Sequence, residues 1–287
     1  MAGERNSIII SVFSTSSGNG KTITAINLAA SLSREGYAVC LVDLDLQFGD
    51  IVTYLKLEPE RTIAEAQRDF IEYNGKINVI NYLTNYEHVR SENDSTPVTF
   101  SIMAPPRKVF DAYNIDVGVV EELLRQMNYF DFIILDLSAV FSALNLAMLD
   151  MSTIINYVGV VDFLPSVKNF KIGYDTLIRF EYEETKIRMI ENRANSQKLI
   201  SGQDVERLIG EKFFHRLPND FPAVNKSVRE GRPLMFAAPN SALTRSFTEL
   251  ARKYTRHQQI IQNPQIEAPA ENNKQSWIGK VMSAFFG

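Results

Sequence analysis

Six runs of the chain are rich in Val, Ile, Leu and Phe, at 7–13, 38–43, 98–104, 132–137, 153–161 and 187–191. Runs this short and nearly continuous in apolar residues predict strands that are covered on both faces. Between most of them, apolar positions recur at helical spacing, which predicts helices over 22–34, 117–128, 144–150 and 166–181. Another is expected at 63–73. Strands alternating with helices predict an α/β fold. Its sheet should be doubly wound and mainly parallel, with helices on both faces and right-handed crossovers. Such sheets take their ligands at the carboxyl ends of the strands. The segment 51–97 is less regular, carries a polar loop at 91–97, and reads as a surface excursion. The pattern divides the chain into a tail (1–6), one domain (7–262), a flexible linker rich in Pro, Asn, Glu and Ala (263–273), and an amphipathic helix (274–287).

Between the first strand and the first helix lie residues 14–22, Ser-Thr-Ser-Ser-Gly-Asn-Gly-Lys-Thr. A small-residue loop in that context is what a polyphosphate needs. Backbone N–H groups of Ser17, Gly18, Asn19 and Gly20 and the positive end of the helix dipole converge on it. Lys21 adds a full charge, and Thr22 offers a hydroxyl to Mg²⁺. Carboxylates that hold the metal's waters and polarise an attacking water come from two further stretches. Asp43 and Asp45 end the second strand on alternate positions, which places them on one face. Asp136 ends Phe-Ile-Ile-Leu-Asp, an apolar strand closed by an acid, as in a Walker B carboxylate. In this chain order after the phosphate loop, the three predict a nucleotide site with Mg²⁺.

The loop followed by Asn27-Leu28-Ala29 and then Val-Asp-Leu-Asp-Leu-Gln-Phe-Gly-Asp (42–50) resembles the MinD/ParA group of deviant Walker P-loop ATPases. Residues 57–64, 165–169 and 217–234, the last running from Leu-Pro-Asn-Asp to Gly-Arg-Pro-Leu, are similar to its CpaE/TadZ-like pilus-assembly branch. The resemblance implies that Gly18, Gly20 and Lys21 hold the phosphates and that Thr22 ligates Mg²⁺. By the same likeness Asp43 and Asp136 anchor the metal's waters, and Asp45 orients the attacking water beside Lys21. Asn192 and Arg193, following the 187–191 strand, and Pro218 and Asp220 match segments that contact adenine.

Two departures qualify the likeness. The group's second, signature lysine, which reaches the partner's phosphate across a nucleotide-sandwich dimer, is here Ser16, and the glycine before it is Thr15. Loss of a transition-state cation slows phosphoryl transfer by ~10³–10⁵ where it has been removed. After Asp136, Leu-Ser-Ala-Val (137–140) replaces a Pro- or Gly-containing turn, which predicts a muted switch on hydrolysis.

Composition narrows the setting. Of 287 residues 45% are hydrophobic and 22% charged, as in ordinary globular proteins, and the formal charge of −4 gives no global attraction to nucleic acid. A lone Cys40 in a strand forms no internal disulfide and reads as a core residue of a reducing compartment. The first seven residues lack a signal peptide's apolar region, and no run approaches the roughly 20 residues of a membrane span. His88, His215 and His257 are scattered without metal-ligand spacing. In the tail, Trp277, Ile278, Val281, Met282 and Phe285 fall on one helical face, with Phe286 beside them. That face either packs back on the domain or docks on a membrane or partner.

The leading expectation is an ATP-binding protein that dimerises on ATP and places a pilus or secretion apparatus at the inner face of the cell membrane. Hydrolysis is expected to be slow or absent, and the protein cytoplasmic and peripheral. Two alternatives stand beside it. One is an active ATPase cycling on and off the membrane. The other is an ATP-dependent DNA partition protein using Arg245, Arg252, Lys253 and Arg256 on the domain's last helical region.

Overall fold

The computed structural model describes residues 7–88, 97–195 and 200–262, with 256–262 as backbone only. Eight strands and eleven α-helices follow one another in these residues, with a short 3-10 helix at Val79–Tyr82. In chain order they are β1 (Ile8–Phe13), α1 (Lys21–Arg34), β2 (Val39–Leu44), α2 (Ile51–Leu55), α3 (Ile63–Glu72), β3 (Leu83–His88), β4 (Val98–Met103), α4 (Val109–Ala112), α5 (Val117–Arg125) and β5 (Phe132–Leu137). Then come α6 (Ala143–Met151), β6 (Ile154–Val160), α7 (Leu164–Arg179), β7 (Ile187–Ala194), α8 (Gly202–Ile209), β8 (His215–Pro218), α9 (Phe221–Glu230), α10 (Leu234–Ala237) and α11 (Ala242–Gln262). The sheet lies in a compact unit, Met1–Ala251; a second unit, Arg252–Gly287, is described only as far as the end of α11.

Strand order is β3-β4-β2-β5-β1-β6-β7-β8, parallel throughout except for β3. The strands and helices expected between residues 7 and 262 are present, and the doubly wound sheet is as expected; the linker expected at 263–273 and the amphipathic helix expected at 274–287 lie outside the described residues. Cys40, Val42 and Leu44 of β2 and Ile133, Leu135 and Leu137 of β5 enter one apolar cluster. Ile63 of α3, Leu123 of α5, Met148 of α6, Phe170 of α7 and Val205 of α8 belong to it too. The alternate residues of the same strands face α1 on the other side, because side-chain direction has period two. Both faces are therefore covered, and Cys40 is fully buried.

Three sequence expectations are corrected. The strand expected at 187–191 runs on to Ala194, so Asn192 and Arg193 lie within β7 rather than after it. Its pairing with β8 shifts between Glu191 and Ala194, and Arg193 adopts φ 52° at this irregularity. The helix expected at 117–128 stops at Arg125. The excursion at 51–97 contains a strand of the main sheet: β3 pairs antiparallel with β4 along all six residues. Its sequence, Leu-Thr-Asn-Tyr-Glu-His, turns only Tyr86 fully inward, where the ring stacks on Phe100 at 5.0 Å. An edge strand with one solvated side carries no continuous apolar run, and that hid it.

Candidate nucleotide site

β1 occupies the middle of the sheet, and successive strands step away from it on either side, towards β5 and towards β6. A reversal of winding opens a crevice at the strands' carboxyl ends. The loop 14–20 fills that position and delivers α1. Gly18 and Gly20 take φ of 75° and 85°, a region that a side chain disfavours. Gly20 is the residue preceding the helix, contributes no capping side chain, and the first turn carries no acid. The helix's leading N–H groups are thus turned to the loop's concavity with a positive field.

Below the loop sit the carboxylates. Asp43 and Asp136 are register partners on adjacent strands, so their side chains project side by side toward α1. Both are buried to within 1%. Asp43 accepts from the N–H groups of Asp45 and Ile51, each at 3.2 Å. Gly49 passes directly over it, where a Cβ would come within 2.5 Å of both carboxylate oxygens. Asp136 Oδ2 accepts from the Thr22 hydroxyl at 2.7 Å, and its buried Oδ1 has no hydrogen-bond partner. Burial, with the Asp136 charge next, holds the Asp43 carboxyl well above its usual range. Burial pushes Asp136 up to about 7, against the Thr22 hydrogen bond and the charge of Lys21. Two adjoining buried carboxylates, one with an unpartnered oxygen, fit a small hard cation delivered with phosphate. Thr22 stands where a magnesium ligand is needed. Lys21 is 9% exposed at the start of α1, and Asp45 and Ser16 line the open side.

That open side is a cleft of about 560 Å³ between Thr15–Ser17, Leu44–Phe48 and Ser138–Val140. Residues 138–140 are held by the buried Asn145. Its Nδ2 lies 3.0, 2.9 and 2.6 Å from the Ser138 carbonyl, the Ser138 hydroxyl and the Val140 carbonyl. The turn that departs from the resembled group is thereby pinned to the first turn of α6.

A smaller slot of about 80 Å³ adjoins the other flank of the loop, lined by Gly20, Asn192, Arg193, Pro218, Asp220 and Phe247 among others. Here the side chains also do something the sequence did not disclose. Asn192 Nδ2 donates to the Asn19 carbonyl at 2.8 Å, and Arg193 donates to the Gly18 carbonyl at 3.1 Å. Asn192's amide occupies the space that a Gly20 Cβ would need. The end of β7 therefore braces the phosphate loop from outside. No sequence signal marks this, because the partners are 173 and 175 residues apart. Asp220 has both oxygens engaged, one capping α9 at the Ala223 N–H and one accepting from Ser241. It shapes the slot's floor.

Other sequence candidates lie elsewhere. His215 is buried on Ser246, and the His88 ring lies tilted against Phe236 with centroids 3.7 Å apart. Arg245 donates to the Asn240 carbonyl. Trp277, Ile278, Val281, Met282, Phe285 and Phe286, and the side chains of Arg256 and His257, fall outside the described residues. Among the described residues, no helix is long and apolar enough to cross a membrane.

Residues 10–234 match the family described as the CobQ/CobB/MinD/ParA nucleotide binding domain. An uncharacterised protein of Methanocaldococcus jannaschii is 23% identical over 274 residues, covering 85% of this chain and 96% of that one. The fold resembles the ParA family ATPase from Chlorobium tepidum, with a TM-score of 0.75 and 23% identity over 86% of this chain and 98% of that one. It also resembles MinD from Pyrococcus horikoshii in complex with Mg-ADP, with a TM-score of 0.72 and 19% identity over 89% and 98%.

Proposed function

The chain belongs to the CobQ/CobB/MinD/ParA nucleotide-binding family, and we propose that it binds Mg·ATP at the junction of β1 and α1. The observation that carries this reading is the buried, adjoining pair Asp43 and Asp136, with Asp136 Oδ1 unpartnered, beneath a glycine loop that presents Lys21 and Thr22. In the reading, loop N–H groups and Lys21 hold the phosphates. Thr22 ligates Mg²⁺, the two buried carboxylates hold its waters, and Asp45 orients an attacking water. Magnesium supplies neutralisation of the phosphate charge there. The base enters the slot beside Asn192 and Pro218, with Asp220 as its structural floor. Mg-ADP in the Pyrococcus horikoshii MinD supports the choice of ligand.

The biological role follows from the resembled branch. Two ATP-bound copies close face to face, and the dimer recruits a pilus or secretion apparatus to the membrane through the segment around Trp277. Hydrolysis is slow, since Ser16 brings no cation to the partner's phosphate. Calorimetry with Mg·ATP is the primary test. Saturable binding that Lys21→Ala reduces at least tenfold is expected, and an unchanged Lys21→Ala isotherm refutes the site. Phosphate release by Ser16→Lys should rise above that of the native chain; no gain would show that the missing cation does not limit turnover.

A further inference from the structure

Thr15, where the resembled group has glycine, is not idle. Its hydroxyl lies 2.9 Å from the Tyr157 hydroxyl and 3.0 Å from the Asn169 carbonyl, and Tyr157 is in turn 2.9 Å from the Phe170 carbonyl. These contacts join three distant pieces: the start of the phosphate loop, the middle of β6, and the first turns of α7. Tyr157 is fully buried and stacks on Phe170 with ring centroids 4.5 Å apart. Packing leaves the joint no slack. A Cβ on Gly173 would collide with the Tyr157 hydroxyl and with Thr15, and one on Gly159 would collide with the Phe170 ring. Asn169 also turns its amide to within 3.5 Å of the Ser16 hydroxyl, while the Ser16 carbonyl accepts from Ser14. The loop is thus held on both flanks, by α7 on one side and by Asn192 and Arg193 on the other.

We propose that Thr15 is a positioning residue, fixing the first half of the phosphate loop to α7 through Tyr157 and the Asn169 carbonyl so that the loop stands ready for phosphate before nucleotide arrives. This rests on the nucleotide reading above. A loop not fixed at that position would spend part of the binding energy on its own ordering when nucleotide binds. Here two hydroxyl protons serve three short contacts, so the network holds α7 and the loop together without being saturated.

The test is stopped-flow and equilibrium binding of a fluorescent ATP analogue with magnesium to the full chain. Thr15→Val keeps the shape and removes the hydroxyl, and should weaken affinity about 3- to 10-fold, the range of a lost hydrogen bond. Thr15→Ser restores the bonds and should stay within about twofold of the native chain. Tyr157→Phe combined with Thr15→Val should lose no more than Thr15→Val alone, because the two hydroxyls act as one unit. Native-like binding by Thr15→Val, failure of the Ser variant to rescue, or losses that simply add in the double variant would each overturn the proposal. If the native chain itself binds no Mg·ATP, the nucleotide reading fails instead.

Discussion

Asp136 shows how far one buried side chain can couple chemistry to stability. Its carboxyl is raised from the ordinary range to about 7, chiefly by burial. Between the unfolded value and 7 the folded protein binds more protons than the unfolded chain, so stability is greatest at low pH within this window and falls as pH rises through it. Asp43 beside it shifts in the same direction. Denaturation midpoints of the nucleotide-free protein should fall from pH 5 to pH 8, by an amount worth a few kcal/mol at most. Asp136→Asn should flatten that slope; an unaltered slope would remove Asp136 as its source. On the proposed reading magnesium nucleotide needs the ionised pair, so its affinity should instead increase over the same interval, read by the same calorimetry.

At the scale of elements, the loop and helix that open the site were legible in the sequence, because a strand, a small-residue loop and Gly-Lys-Thr are consecutive. The carboxylate Asp136 was legible too, as the acid closing an apolar strand. What contacts the loop was not. Asn192 and Arg193 were singled out by resemblance alone, as adenine contacts after a strand, and only their hydrogen bonds at the irregular end of β7 reveal that they reach back to the loop. Asn145 and Tyr157 were hidden for the same reason: their partners are set by packing of one element on another. Strand β3 escaped because its solvated side breaks the apolar run. The brace makes a specific prediction. Asn192→Ala should keep the secondary structure by circular dichroism yet lower nucleotide affinity about tenfold, since the Asn19 carbonyl loses its donor. Unchanged affinity would mean that the loop holds its shape unaided.

Across the whole molecule, the parallel sheet was readable because six apolar runs alternate with helical periodicity, and hydrophobic burial dictates much the same layering for any chain so patterned. The proposed attachment rests on residues beyond the described helices, and its prediction comes from their sequence alone. Full-length protein with ATP should sediment with anionic lipid vesicles, and a chain ending at Gln262 should not. Equal pelleting of the two would rule out the tail as an anchor. Two weakly binding tails on one ATP-closed dimer would attach far better than either alone, which ties attachment to nucleotide state.

The reversal of winding at β1 gathers the phosphate loop, Asp43 and Asp136 at one end of the strands. The turns at the other end, such as 35–38 with Gly36 at φ 92° and 183–186 ahead of β7, carry none of the side chains proposed to bind nucleotide. A fluorescent reporter spliced into either turn would sit a full strand length away from the phosphates. The molecule therefore has a side on which it can be tagged, tethered to a surface or lengthened by evolution, with its chemistry left alone.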